Sequence, residues 1–228
     1  MLLVAAERRE VGGVLRHCRD VGRLDWPVEF ARAGLVNGQR FVMVANGAGH
    51  RRAASAVSVA RSRMTAEVVV STGFCGALDP ALRIGEIFVA SRIQMAGESI
   101  ELPLPNTEDA FVSGPLVSVD KVAQTVEEKQ LLAAAGARAV EMEAAGVAWG
   151  VREWGLPFFC IRSVTDRADE GFFLDFNAAR RSDGRFSTAR ILAQTVLRPR
   201  LIPELKELHA RATIAAGSLG DFLARCRF

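Results

Sequence analysis

The stretch Ala139-Val140-Glu141-Met142-Glu143-Ala144-Ala145-Gly146, together with the run that follows it, constrains the fold of this chain more than any other. Glu143 opens a series of small and apolar residues (Ala144, Ala145, Val147, Ala148, Trp149, Val151) that reads as a buried helix. Beyond Gly155, residues 158–164 form a short apolar run, the pattern of a strand buried on both faces of a parallel sheet. Thr165-Asp166 and Ala168-Asp169 follow it. One carboxylate thus stands at a helix start and another just past a strand's carboxyl end, the rim where open α/β sheets bind ligands. Glu141 and Glu143 are two apart and project to different sides, so one should face a pocket while the other caps the helix or meets solvent. Taken singly, Glu143 and Asp166 also fit as helix-start caps.

The rest of the chain alternates in the same way. Residues 2–6 read as an opening strand, and the charged run Glu7-Arg8-Arg9-Glu10 leads into a helix expected through Arg16. Asn37-Gly38 between two apolar runs signals a tight hairpin, because both turn positions need positive φ. Asn46-Gly47-Ala48-Gly49 precedes a small-residue helix over 53–63, where Gly47, Gly49 and Arg51 form a candidate anion-binding start. Residues 67–72 and 86–91 read as strands, 94–115 as loop, 116–119 as strand and 127–135 as a short helix. The tail reads as a helix over 187–197, a break at Pro199 and Pro203, and an amphipathic helix over about 204–216. Strands alternating with helices, plus one hairpin, predict a three-layer αβα fold around a central mixed β-sheet. No linker or repeat interrupts it, so residues 1–228 are expected to form a single domain with a basic helical segment from about residue 186.

Charge and cysteine usage exclude several classes. The chain's net charge is +3, too small to argue for nucleic acid. From residue 186 onward seven Lys/Arg face three acids, so the tail carries +4 and the remainder −1. That tail fits a solvated helix face, with a weak membrane-surface association as the alternative. Cys18, Cys75, Cys160 and Cys226 are scattered, and His17, His50 and His209 lack ligand spacing. Neither a metal nor another cofactor is expected. With no spanning apolar run and no leader pattern, a cytoplasmic location is expected.

Read together, the motifs resemble the purine nucleoside phosphorylase and nucleosidase superfamily, which includes the methylthioadenosine/S-adenosylhomocysteine nucleosidases. The resemblance rests on Ala6-(x)3-Glu10-Val11, Asn46-Gly47-Ala48-Gly49, Ser71-Thr72-Gly73-Phe74-Cys75-Gly76, Val140-Glu141-Met142-Glu143-Ala144 and Arg162-Ser163-Val164-Thr165-Asp166. It implies cleavage of a purine N-glycosidic bond. Asp166, beside Thr165, would be the acid at the leaving base; Glu143 would grip the ribose hydroxyls over Met142; and Glu10 would activate the attacking water. Glu141, Phe74, Gly73, Val122 and Phe172 are the further substrate-contacting positions it implies. Phosphorylases of the family carry a Ser or Thr where this chain has Phe74 and an Arg where it has Ser71, which favours water over phosphate. The family also implies a homodimer or larger homo-oligomer, with no nucleic-acid partner.

A second, looser likeness covers Ser118-Val119-Asp120-Lys121-Val122, the spacing to Glu128-Lys129, and the Asp183-Gly184 to Leu205 tail. These resemble the hopanoid-biosynthesis-associated phosphorylases, taken to remove adenine from adenosylhopane. That branch implies a large apolar 5′ substituent against Phe172, Phe173 and Phe176, although those phenylalanines also fit a satellite cluster under a loop. A methylthioadenosine-type nucleosidase and a non-catalytic nucleoside-binding module stay open beside it.

Overall fold

The computed structural model describes every residue except Ser182 and Gly184, so Gly184 of the Asp183-Gly184 pair lies outside the described residues. Strand β1 (Leu2–Ala5) lies between β4 (Gln39–Ala45) and β5 (Val69–Ala77), parallel to both. β5 also pairs in parallel with β10 (Phe158–Asp166). On the other edge β3 (Phe30–Val36) and β2 (Cys18–Arg23) continue antiparallel from β4. Asn37 and Gly38 make the β3–β4 turn with φ of 49° and 79°, as expected.

The sheet is mixed, and half of it closes on itself. β10 pairs antiparallel with β6 (Ile87–Met95), β6 in parallel with β8 (Val112–Ser118), β8 in parallel with β9 (Ala139–Glu141), and β9 antiparallel with β5. Alternation along the strands sends side chains into two cores. Leu2, Val4, Val69, Phe158 and Cys160 pack under helices α2 (His50–Arg61) and α4 (Ala144–Val151). Leu3, Ala5, Val70, Phe159 and Ile161 pack under α7 (Ile202–Arg225) and the short α1 (Gly12–Leu15). Helix layers on both faces of a mixed sheet give the αβα architecture.

Three local expectations are corrected. The segment after β1 is a turn rather than a helix up to Gly12, because the Glu10 carboxylate takes the N–H groups of Ala6 and Glu7. Residues 94–115 are not loop throughout: β6 turns at Ala96-Gly97, both at positive φ, into β7 (Glu98–Glu101), and Pro115 sits inside β8 beside a register shift that tolerates it. The tail helix α7 carries Pro203 in its first turn, where no N–H is required, and runs on through Gly217 and Gly220 to Arg225. At Gly220 a Cβ would stand 2.2 Å from the Gly13 carbonyl carbon, so contact with α1 outweighs the roughly 1 kcal/mol cost of a helical glycine.

Candidate active site

A cleft of about 300 Å³ opens beyond the carboxyl ends of β5, β9 and β10. Phe74, Cys75 and Gly76 of β5, Val140 and Glu141 of β9, Met142 and Glu143 before α4, and Thr165 and Asp166 of β10 form its floor. Glu10 reaches it from the turn after β1. Phe172, Phe176, Phe186, Ile191, Leu205 and Leu208 line it from the loop before α5 (Phe176–Ala179), from the start of α5, from the segment before α6 (Thr188–Leu197), from α6 and from α7. Five carboxylates (Glu7, Glu10, Glu141, Glu143 and Asp166) therefore border one largely apolar hollow.

The two glutamates of the central motif divide their work as their spacing requires. Glu141 accepts from the N–H groups of Glu143 and Ala144, each at 2.8 Å, from the Ser118 hydroxyl at 2.5 Å and from Arg162 at 2.5 Å. It lines the cleft but serves as helix cap and counter-ion. Glu143 accepts one bond, from the Gly49 N–H at 2.8 Å through Oε1, and its Oε2 has no partner among the described residues. Arg162, wholly buried in β10, also donates to Ser71 Oγ at 2.9 Å. Its place in the Arg162-to-Asp166 motif does not mark it as a site residue, but an arginine in an otherwise apolar strand must find a buried counter-charge.

One guanidinium faces three carboxylates, and the acidities of Glu143 and Glu10 respond to this crowded, buried setting. Burial pushes Glu143 up to about 8, aided by the charges of Glu141 and Glu10. Burial and then Glu7 raise Glu10, against its backbone hydrogen bond and the charge of Arg162. The native state therefore holds a proton on Glu143 that the unfolded chain releases near its ordinary value of 4.5. Stability from this group is complete below about 4.5 and is lost as pH rises through about 8. Thermal melting of the unliganded protein should fall across that window, and Glu143→Gln, which mimics the protonated form, should flatten the fall. An unchanged slope in the variant would contradict the assignment.

Asp166 lies at the opposite end. Thr165 Oγ1 donates to its Oδ1 at 3.0 Å, and Lys129 Nζ donates to its Oδ2 at 2.5 Å. Burial raises the Asp166 pKa and Lys129 opposes the rise. A Cβ on Gly76 would come within 2.7 Å of Oδ2, so β5 leaves this carboxyl its space only with glycine there. Glycine at 73 does the same for Glu10: a Cβ would stand 3.0 Å from the carboxyl atoms, and φ is +145°.

Nothing local in the sequence marks Lys129 as a site residue. It lies on α3 (Val126–Ala134), whose Thr125–Glu128 capping box fixes the helix start. It is 1% exposed while Leu131, two residues on, is 73% exposed. The usual polarity of an amphipathic helix is reversed here, so periodicity carried no signal. Val122 borders the cleft, its backbone held by both groups of the Asn177 amide at 3.0 Å. Phe172 and Phe176 meet edge to face at 5.3 Å, whereas Phe173 is 81% exposed and leaves the expected aromatic wall.

The anion-binding start does not converge on the cleft. Arg51 is exposed on α2 and lies apart from the lining. Gly47 donates its N–H to Ala6, and Gly49 spends its own on Glu143. The expected helix-start phosphate cradle is thus occupied by protein groups. Among the described residues no cluster of His, Cys, Asp and Glu has the geometry to hold a metal ion.

Fold and cleft together define an α/β protein with a buried, carboxylate-rich site for a small ligand. The sequence matches the phosphorylase superfamily over residues 26–111 and 103–196, more than half of its length, and the chain belongs to that superfamily. It is 26% identical over 176 residues to a 5′-methylthioadenosine/S-adenosylhomocysteine nucleosidase of Staphylococcus aureus, covering 64% of this chain and 76% of the relative. The corresponding nucleosidase structure from Helicobacter pylori superposes with a TM-score of 0.73 at 17% identity, covering 97% of this chain and 94% of that one. Futalosine hydrolase of the same organism superposes with a TM-score of 0.71 at 18% identity, covering 97% and 94%.

Proposed function

We propose that this protein cleaves the N-glycosidic bond of an adenine nucleoside with water. The observation that supports this most is the convergence of Glu10, Glu143 and Asp166, from three distant stretches, on one cleft. Cleavage asks for a proton at the leaving purine and for stabilisation of positive charge on the ribose. Asp166 gives its proton to purine N7 as the C1′–N9 bond breaks and the bonding pair passes to the base. Glu143 holds the ribose hydroxyls, with Met142 beneath the sugar. Glu10 takes the proton of the water that adds to C1′. Phe74 and Ser71 stand where phosphorylases carry phosphate ligands, and Gly49 has given its N–H to Glu143, which leaves phosphate with little to bind. The S. aureus relative supports the same chemistry on a small thioether nucleoside.

The finer proposal is a large apolar 5′ substituent, of the kind adenosylhopane carries. Phe172, Phe176, Ile191, Leu205 and Leu208 offer an apolar wall on one side of the cleft. Each Å² of apolar area buried there contributes roughly 25 cal/mol. The expected result is a kcat/KM that rises steadily from adenosine through methylthioadenosine to a long 5′-alkyl adenosine. Preference for methylthioadenosine with no gain from chain length would remove the lipid substrate and leave the chemistry intact.

The outer surface of the same elements supports weak membrane contact. Leu192, Val196, Leu197 and Ile202 are exposed beside exposed Arg198, Arg200 and Lys206. Each well-placed cation adds about 1 kcal/mol of attraction to an anionic leaflet. The protein should sediment with phosphatidylglycerol vesicles at low salt and be released at high salt; equal binding to neutral vesicles would refute the electrostatic part. No helix among the described residues is long and apolar enough to cross a membrane.

The exposed Trp149 on α4 favours a homo-oligomer. Light scattering should give a dimer or larger at micromolar concentration, and a fully active monomer would contradict it.

A further inference from the structure

The contact that the chemistry above leaves unexplained is the one between Lys129 and Asp166. An acid that only needs to be protonated is served by burial alone, and a cation on it works the other way. A buried ion pair is also expensive, since each desolvated charge costs several kcal/mol before pairing. Yet Lys129 is 1% exposed and has its ammonium fully engaged. Nζ donates to Asp166 Oδ2 at 2.5 Å and to the Arg167 carbonyl at 2.6 Å, and it lies 5.3 Å from the Phe172 ring centroid.

Resting on the nucleoside-cleaving reading, we infer that Lys129 and Asp166 form one proton-donating pair, in which Lys129 passes a proton to Asp166 as Asp166 protonates the leaving purine. Lys129 is the positioning and supplying residue, and Asp166 is the group that touches the base. In the free site the pair carries one proton as ammonium and carboxylate. A bound base closes the cleft to water, and lower local polarity favours the neutral amine and carboxylic acid. The carboxyl O–H, which came from Nζ, then goes to N7 and the C1′–N9 pair goes to the purine, which leaves a neutral Lys129 amine beside ionised Asp166. The attacking water gives its proton to Glu10. Solvent exchange after adenine leaves returns that proton to Lys129, so hydrolysis consumes one water and no net proton.

The charges around the pair permit this. From β5, Cys75 faces Asp166 as a buried thiol whose pKa burial holds well above its ordinary value. Thr165 contributes a neutral hydroxyl. In the loop after β10, Asp169 and Glu170 act on Lys129, but Asp169 is paired with Arg167 and Glu170 with Arg211. Asp166 is therefore the carboxylate in contact with the ammonium.

The test is the alkaline limb of kcat/KM for an adenosine substrate in wild type, Lys129→Gln and Lys129→Arg. Glutamine keeps a hydrogen bond to Asp166 but has no charge or labile proton. Arginine keeps the charge and cannot yield a proton. The expected order of the limbs is wild type highest, K129Q lower by about one pH unit or more, and K129R lowest, with rates down about 10- to 100-fold. On a 4-nitrophenyl riboside, whose leaving group needs no proton, both variants should keep near-wild-type kcat. A wild-type limb in K129R would show that charge alone suffices and overturn the inference. A raised limb in K129Q would overturn it too, by showing that Lys129 merely opposes the acid. If K129Q does not fold, Lys129→Met provides the same neutral comparison. Wild type that releases no adenine from any nucleoside fails the parent reading, whereas release with the limbs out of order fails only this one.

Discussion

Asp166→Asn should lower cleavage of purine nucleosides by at least about a hundredfold, the usual scale for general acid catalysis. The amide keeps the shape and the Thr165 contact but has no proton to give to N7. The same change strands Lys129, which is 1% exposed and loses its carboxylate at 2.5 Å. Removing one partner of a buried ion pair costs about 3–5 kcal/mol, so the variant should also melt well below wild type. Asp166→Asn combined with Lys129→Met should recover much of that stability and none of the activity. Near-wild-type turnover in the single variant would end the assignment of Asp166.

Glu10→Gln should abolish hydrolysis while leaving nucleoside binding largely intact. The Glu10 carboxylate accepts N–H bonds from Ala6 and Glu7 at 2.8 and 2.9 Å, both to one oxygen, Oε2. Oε1 is left for the water. Glutamine, oriented to keep its carbonyl on the same two N–H groups, cannot take up a proton. Calorimetry should show binding of a nucleoside close to wild type with no turnover over hours. If binding is lost together with activity, Glu10 belongs to substrate recognition instead.

The parts of the fold that could be read in advance are those where one local signal decides. The apolar run of β10 and its terminal Thr165-Asp166, the Asn37-Gly38 turn, and the spacing of Glu141 and Glu143 each carried their meaning within a few residues. Helix α3 shows the opposite case. Its Leu131 is exposed and its Lys129 buried, because the partner that makes burial of Lys129 possible lies 37 residues on at Asp166. Periodicity contains no trace of such a partner. Strand β9, three residues long, exists only because β5 and β8 flank it. The closure of β10 onto β6 is likewise a pairing between distant strands. Phe172, Phe173 and Phe176 show the limit within the cleft, since composition could not separate the two rings that line it from the one that faces solvent.

The central claim is hydrolysis of an adenine nucleoside, and product analysis tests it most directly. The protein should be incubated with adenosine, methylthioadenosine or a 5′-alkyl adenosine, with and without inorganic phosphate, and the base and sugar products separated. The account predicts free adenine and the free sugar in equal amounts, at a rate that phosphate does not change. Sugar 1-phosphate formed in proportion to phosphate would replace water as the nucleophile, and intact nucleoside in every tube, despite measurable binding, would contradict the account altogether.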